Sequence, residues 1–300
     1  MPPVQPSESA SESGAESGSE AGSGGRSIDI GGGRQIFLEC AGEGTPTVIL
    51  ESGIHDSSDY WVNIQPNPPA IGPDVFAGIA EHTRVCRYDR PGTLIPGEQP
   101  ALTDRSTPVT NPRTIDQVSA DLDALIEAAG LEGPFLMVGH SFGGWLQTYY
   151  TQTHPDEVVG LVLVDAFSAR MPEFMGEKWT PYERVLNSLS GNALEKDPAS
   201  EKYDVLASVK QAAAAPALPD DLPMAVLSKT EPFPLPADVK GFASADLEGA
   251  WSKVQSALAT LVPNSPHIIA EGSDHYIQVR EPDLVTSTVV LILERARVEK

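Results

Sequence analysis

From residue 27 onward, short apolar runs of strand length alternate with longer stretches whose apolar residues recur every three or four positions. Residues 27–30 and 34–40 flank Gly31-Gly32-Gly33 and predict an opening hairpin. Two further strands are expected over 47–51, ending in Ser52-Gly53, and over 83–88, ending in Asp89-Arg90-Pro91-Gly92. Residues 115–129 place Ile115, Val118, Leu122, Leu125 and Ile126 on one helical face, with Gly130 as the stop. The apolar run 134–137 leads through a glycine-flanked turn into a helix-compatible stretch over 142–153. Residues 158–164 are apolar without a break, the pattern of a strand buried on both faces of a parallel sheet, and Asp165 closes them. Two more strands are expected over 223–227 and 266–270. A helix marked by Leu247, Trp251, Val254 and Leu258 precedes the last strand, and one marked by Leu284, Val285, Thr288, Val289 and Ile292 follows it. Strand and helix in alternation predict an α/β sheet.

Two segments break this rhythm. Residues 7–25 are Ser, Glu, Gly and Ala alone, preceded by Pro2, Pro3 and Pro6. Nothing there can be buried to offset the entropy of ordering, so 1–26 reads as a disordered tether. Between Asp165 and Pro223 no strand pattern occurs, but Met171, Phe174, Met175, Trp179, Tyr182 and Leu186 do, followed by alanines at 212–215. A structureless loop of that length is unusual in a compact domain, so 166–222 is expected to form its own helices. An insert at that point lies over the carboxyl edge of the sheet, where open α/β sheets place their sites. It reads as a helical lid inserted into a core formed by 27–165 and 223–300.

Composition narrows the function classes. The 300 residues, two-fifths of them apolar, suit one large domain with an insert. A net charge of −22, from 42 acidic and 20 basic residues, repels polyanions, so neither nucleic acid nor an anionic membrane surface is an expected partner. No apolar run is long enough to span a bilayer. The tether resembles the segment behind the signal peptide of bacterial secreted proteins and lipoproteins, which favours an extracytoplasmic location slightly over a cytoplasmic one. Cys40 and Cys86 lie in no metal-ligand spacing, so no metal is expected.

The candidate chemistry centres on Gly139-His140-Ser141-Phe142-Gly143. A serine on a tight strand-to-helix turn exposes its Oγ beside free backbone N–H groups, and small glycines on either side let the backbone pack closely. Such a serine needs a base, and the base needs an acid to orient it. Of six histidines, His82 and His154 sit in helix-end contexts, His267 begins a strand, and the His140 side chain should point away from that of Ser141. His55 lies on the loop after 47–51 with Trp61, where both could line a pocket, though packing accounts for Trp61 equally well. His275, in the loop after the last strand, is the best candidate base, since such loops deliver catalytic groups to one place.

With these residues in view, the chain resembles the α/β-hydrolase superfamily, in particular bacterial single-domain hydrolases with a Glu-Ser-Gly turn. The resemblance spans roughly residues 27–296 and rests on Glu51-Ser52-Gly53, Tyr88-Asp89-Arg90-Pro91-Gly92, Gly139-His140-Ser141-Phe142-Gly143-Gly144, Val162-Leu163-Val164-Asp165 and Gly272-Ser273-Asp274-His275. It implies a mostly parallel eight-stranded sheet flanked by helices, the order Ser, acid, His, and no cofactor. It also implies an oxyanion hole from the backbone N–H groups of Phe142 and Ile54. Asp165 is favoured as the acid, with Glu231 as the rival, because the common position after the seventh strand holds no aspartate. A serine nucleophile implies acyl chemistry rather than the alkyl esters formed by aspartate-using relatives. The expected function is hydrolysis of a small neutral or apolar carboxylic ester; an amidase, thioesterase or cofactor-free perhydrolase would use the same triad, and a non-catalytic binding protein is the rival from another class. The resemblance further places the strands of Cys40 and Cys86 side by side and antiparallel, so that a disulfide becomes feasible, with two free buried thiols as the alternative.

Overall fold

The computed structural model describes residues 24–298 except 63, 65–68, 71, 189–193, 195–196, 236 and 238. Most of the expected tether, residues 1–23, lies outside the described residues. Arg26 already belongs to the first strand.

Among the described residues ten strands are formed: β1 Arg26–Asp29, β2 Gln35–Ala41, β3 Thr47–Glu51, β4 Val85–Tyr88, β5 Leu94–Ile95, β6 Ala101–Leu102, β7 Phe135–His140, β8 Val158–Val164, β9 Met224–Lys229 and β10 His267–Ala270. Eight of them make one sheet in the order β1-β2-β4-β3-β7-β8-β9-β10. The pairs β1–β2 and β2–β4 are antiparallel and every other pair is parallel. The helices are α1 Val75–Ala80, α2 Ile115–Ala129, α3 Phe142–Thr153, α4 Met171–Met175, α5 Trp179–Leu186, α6 Val205–Ala214, α7 Ser244–Leu258, α8 Ile277–Arg280 and α9 Pro282–Val298.

Successive strand residues face opposite sides, which divides the core in two. Met137, Leu161, Leu163 and Val226 pack with Leu122, Leu146, Trp251 and Val254 from α2, α3 and α7. Leu136, Val138, Val162 and Val164 face the other way, onto Ile79, Val285, Val289 and Ile292 from α1 and α9. Each of these fully buried aliphatic side chains contributes about 1.5–3 kcal/mol relative to exposure. Trp61 is buried in this second layer, so it serves packing rather than a pocket wall. α2 runs over the predicted span. Its Gln117 side chain accepts from the Thr114 N–H at its start, and Gly130 closes it in a left-handed conformation at φ 62°.

Cys40 and Cys86 stand directly opposite each other on β2 and β4, with Cα atoms 4.1 Å apart, and are joined by a disulfide. The residues after β8 form α4, a 3-10 turn Gly176–Lys178, α5 and α6. Between α5 and α6 the chain is tied to the core by backbone bonds from Glu201 N–H to Gly92 O (3.0 Å), Arg113 N–H to Lys202 O (2.8 Å) and Asp204 N–H to Arg113 O (2.9 Å). Among the described residues no helix is long and apolar enough to cross a membrane.

Candidate active site

Ser141 is the single residue between β7 and α3, at φ 52° and ψ −124°. Its turn is tight enough that a Cβ on Gly139 would lie 2.5 Å from Gly143 O, and one on Gly143 would lie 2.3 Å from Ser52 O. Only glycine fits at either position. Ser141 N–H donates to Val164 O (3.0 Å), and its carbonyl accepts from Phe167 N–H (2.7 Å) and Gly144 N–H (3.0 Å). The elbow is thereby tied to β8 and to the chain just beyond it. Four non-glycine residues among those described have positive φ, and three of them, His55, Ser141 and Asp165, gather here. Backbone strain of about 1–3 kcal/mol per residue persists only where its surroundings impose it, and it clusters at functional sites.

Asp165 follows β8 and is fully buried. Its N–H extends the ladder to Leu227 O at 2.8 Å. Its Oδ2 lies 2.6 Å from His275 Nδ1, while Oδ1 accepts from Trp251 Nε1–H (3.0 Å) and from the Lys229 N–H (3.3 Å). A carboxylate can only accept, so His275 Nδ1–H is the donor of this pair. The His275 ring is enclosed by Phe233 at 4.7 Å, His140 at 4.6 Å, Trp251 at 5.4 Å and Tyr276 at 5.5 Å between centroids. Ser141 Oγ makes no hydrogen bond to any described residue. The Glu231 carboxylate accepts from the Thr230 hydroxyl at 3.5 Å, and among the described residues no hydrogen bond joins it to His275.

The loop after β3 lies against the elbow: a Cβ on Gly53 would meet Ser141 Cβ at 3.2 Å and His140 Nδ1 at 3.1 Å. Ile54 is the next residue along this loop, and Phe142 is the first residue of α3. Beneath this loop lies a buried ionic cluster. Arg90 donates through Nε to Glu201 Oε1 (2.7 Å) and through Nη2 to Glu201 Oε2 (3.0 Å). It also donates to the carbonyls of Ser52 (2.9 Å) and Gly53 (2.6 Å) and to the Glu51 carboxylate, which Tyr88 contacts as well. Burial alone would raise the Glu201 carboxyl, but Arg90 outweighs it and holds Glu201 below the ordinary range. Burial dominates at Glu51, whose carboxyl is pushed up despite Arg90.

Asp56 and His140 complete the surroundings. Burial, with Glu201 adding repulsion, raises the Asp56 carboxyl to about 8 against the pull of Arg90. Burial and the neighbouring His275 ring push His140 well below the ordinary imidazole range, so it is neutral. Its Nε2–H donates to the His275 carbonyl at 2.9 Å. The expectation that His140 points away from the nucleophile therefore leaves out its direct hold on the His275 backbone. His55 is buried and its Nε2 lies 3.1 Å from Leu186 O. His267 meets Ser228 Oγ, and His154 stacks on Tyr150, neither at the site. Among the described residues no group of three or more His, Cys, Asp or Glu side chains is placed to hold a metal.

Sequence reasoning did not find Trp251, Glu201 or Asp56 at this site. Trp251 reads as one more apolar position on a helix face. Glu201 lies where no periodicity marks it, and Asp56 sits in a loop whose conformation only the tertiary contacts define.

The fold and the strained strand–serine–helix junction define an α/β protein of the hydrolase class. A family model described as alpha/beta hydrolase fold matches residues 46–202, just over half of the chain, and the chain belongs to that family. A Bacillus subtilis protein, YqjL, is 25% identical over 239 residues, 80% of each chain. A Schizosaccharomyces pombe protein is 27% identical over 160 residues, and the match covers 48% of this chain but only 28% of that one. Among solved structures, a thermophilic esterase from Thermogutta terrifontis is similar in fold, with 18% identity and a TM-score of 0.53 over 91% of this chain and 99% of that one.

Proposed function

We propose that this hydrolase is a serine esterase that cleaves a small neutral or apolar carboxylic ester through an acyl-enzyme. The observation that carries the reading is the 2.6 Å contact of His275 Nδ1 with the buried Asp165, beside a serine held at positive φ on a strand-to-helix turn. Ser141 Oγ attacks the acyl carbonyl while His275 Nε2 takes its proton, and Asp165 stabilises the imidazolium so formed. The oxyanion is received by the N–H groups of Ile54 and Phe142, each worth roughly 3 kcal/mol in a water-poor site. His275 then returns the proton to the departing alcohol. Water, deprotonated by the same imidazole, attacks the acyl-enzyme and restores the serine.

Aromatic surroundings support an apolar substrate: Phe142 packs with Tyr203 at 4.2 Å and with Phe167 at 5.3 Å. In this reading 166–222 acts as the lid, carrying Met171, Trp179 and Tyr182 into the same cluster. Esterase is also the description of the Thermogutta relative, which is similar in fold.

The test is active-site labelling with a fluorophosphonate, followed by steady-state hydrolysis of p-nitrophenyl esters of increasing chain length. Ser141→Ala should abolish labelling, and Ser141→Ala and His275→Ala should each cost about 10⁴-fold in kcat or more, with little further loss when combined. Asp165→Asn should slow turnover steeply, and Glu231→Gln should leave it near wild type. Labelling that survives Ser141→Ala, or the reverse ranking of the two acids, would refute the assignment.

A further inference from the structure

The buried Arg90–Glu201 pair has no part in the acyl chemistry just described, yet its bonds converge on the loop that carries one oxyanion donor. The inference rests on reading Ile54 and Phe142 as those donors. The Ile54 N–H and the Gly53 carbonyl belong to one trans peptide, so they point in opposite directions from a single plane. Arg90 Nη2 donates to that carbonyl at 2.6 Å, and Nη1 donates to the preceding carbonyl, Ser52 O, at 2.9 Å. The guanidinium is nearly fully buried, at 2% exposure, so its charge is little screened. A cation bound to the oxygen of an amide draws density from its nitrogen and strengthens the N–H as a donor. On the other side of Ile54, the His55 N–H donates to Glu201 Oε2 at 2.8 Å. The peptides before and after Ile54 are thus held by the two halves of one ion pair. The second donor is backed in the same way. Phe142 N–H shares its peptide with the Ser141 carbonyl, which accepts from Phe167 N–H at 2.7 Å.

We propose that Arg90 and Glu201 are positioning residues of the oxyanion hole. Arg90 fixes and polarises the Gly53–Ile54 peptide from its carbonyl side. Glu201, supplied by the segment inserted after β8, locks both Arg90 and the peptide that follows. A fixed planar fork is needed, because one guanidinium serves two carboxylates and two carbonyls at once. An ammonium on a flexible stem cannot match that geometry.

A purely structural role would slow all substrates alike, whereas an oxyanion role depends on which atom receives the charge. The experiment compares Arg90→Lys with wild type on a p-nitrophenyl ester and on its thionoester, in which the developing charge falls on sulfur, a larger and poorer acceptor. Arg90→Lys should lower kcat on the oxygen ester by about 30-fold, less than the ~100-fold or more of deleting a donor outright, with KM nearly unchanged. The thionoester should lose only a few-fold, so the ratio of the two rates narrows by about tenfold. Glu201→Gln keeps the side-chain volume and should narrow the ratio in the same direction, and it carries the comparison should Arg90→Lys fail to fold. Equal losses on both substrates, leaving the ratio at the wild-type value, overturn the positioning role while the serine mechanism stands. Ester hydrolysis that persists in Ser141→Ala removes that mechanism and this proposal together.

Discussion

Trp251→Phe isolates one hydrogen bond. The indole Nε1–H donates to the fully buried Asp165 Oδ1 at 3.0 Å, and phenylalanine keeps an aromatic ring against Phe233 while removing the donor. Oδ1 is then left with only the Lys229 N–H, at 3.3 Å. A hydrogen bond to a charged group contributes about 1.5–3 kcal/mol, so one to two decades of kcat are at stake if the bond orients the carboxylate for His275. The smaller ring also lowers folding stability through the space it leaves, which must be separated from the catalytic effect. A double-mutant cycle with Asp165→Ala does so. With the carboxylate removed, Trp251→Phe should cost little further activity, giving a coupling of about 1.5 kcal/mol or more. The assay is kcat on a saturating p-nitrophenyl ester at a temperature where circular dichroism shows every variant folded. Additive losses would mean that Trp251 acts only through packing, and the orientation argument would fail.

The disulfide closes a loop with a sequence separation of 46, for which the chain-entropy model gives about 4 kcal/mol of stabilisation. Urea unfolding with and without reductant should differ by that order, and superimposed curves would contradict it. Asp56 tests the buried carboxyl. With its folded value raised to about 8 from a reference of 3.8, stability is fully present below about pH 4 and is lost as pH rises towards 8. Asp56→Asn should therefore flatten the pH dependence of unfolding free energy across that window, by up to on the order of 5 kcal/mol. A profile unchanged by the substitution would show that the carboxyl ionises freely in the native protein.

Much of the sheet is legible because burial on both faces leaves a local mark. The apolar run of β8 and the 3.6-residue pattern of α2 appear in the structure at the predicted positions, and the junction at Ser141 follows from a strand, a glycine-flanked serine and a helix in succession. The two-residue strands β5 and β6 are too short to carry any period, and the sequence reading passes over them. The bond between Trp251 and Asp165 joins residues 86 positions apart, and Arg90 reaches Glu201 across 111. No local pattern encodes such pairs. The opposition of Cys40 and Cys86 is likewise a matter of register between β2 and β4, accessible from sequence only through resemblance to proteins with that strand order.

The anchoring of the chain at Glu201 bears on how such proteins can be recombined. A crossover that swaps everything up to the start of β9 for a relative's insert would carry Glu201 away with it. Arg90 would then face Glu51 alone, and the His55 N–H would lose its acceptor. The backbone bonds of 201–204 to Gly92 and Arg113 would have to be rebuilt by foreign sequence as well. A crossover placed before residue 201 leaves all of these with the parent, so graftable variety lies in the helices α4 and α5, upstream of that seam.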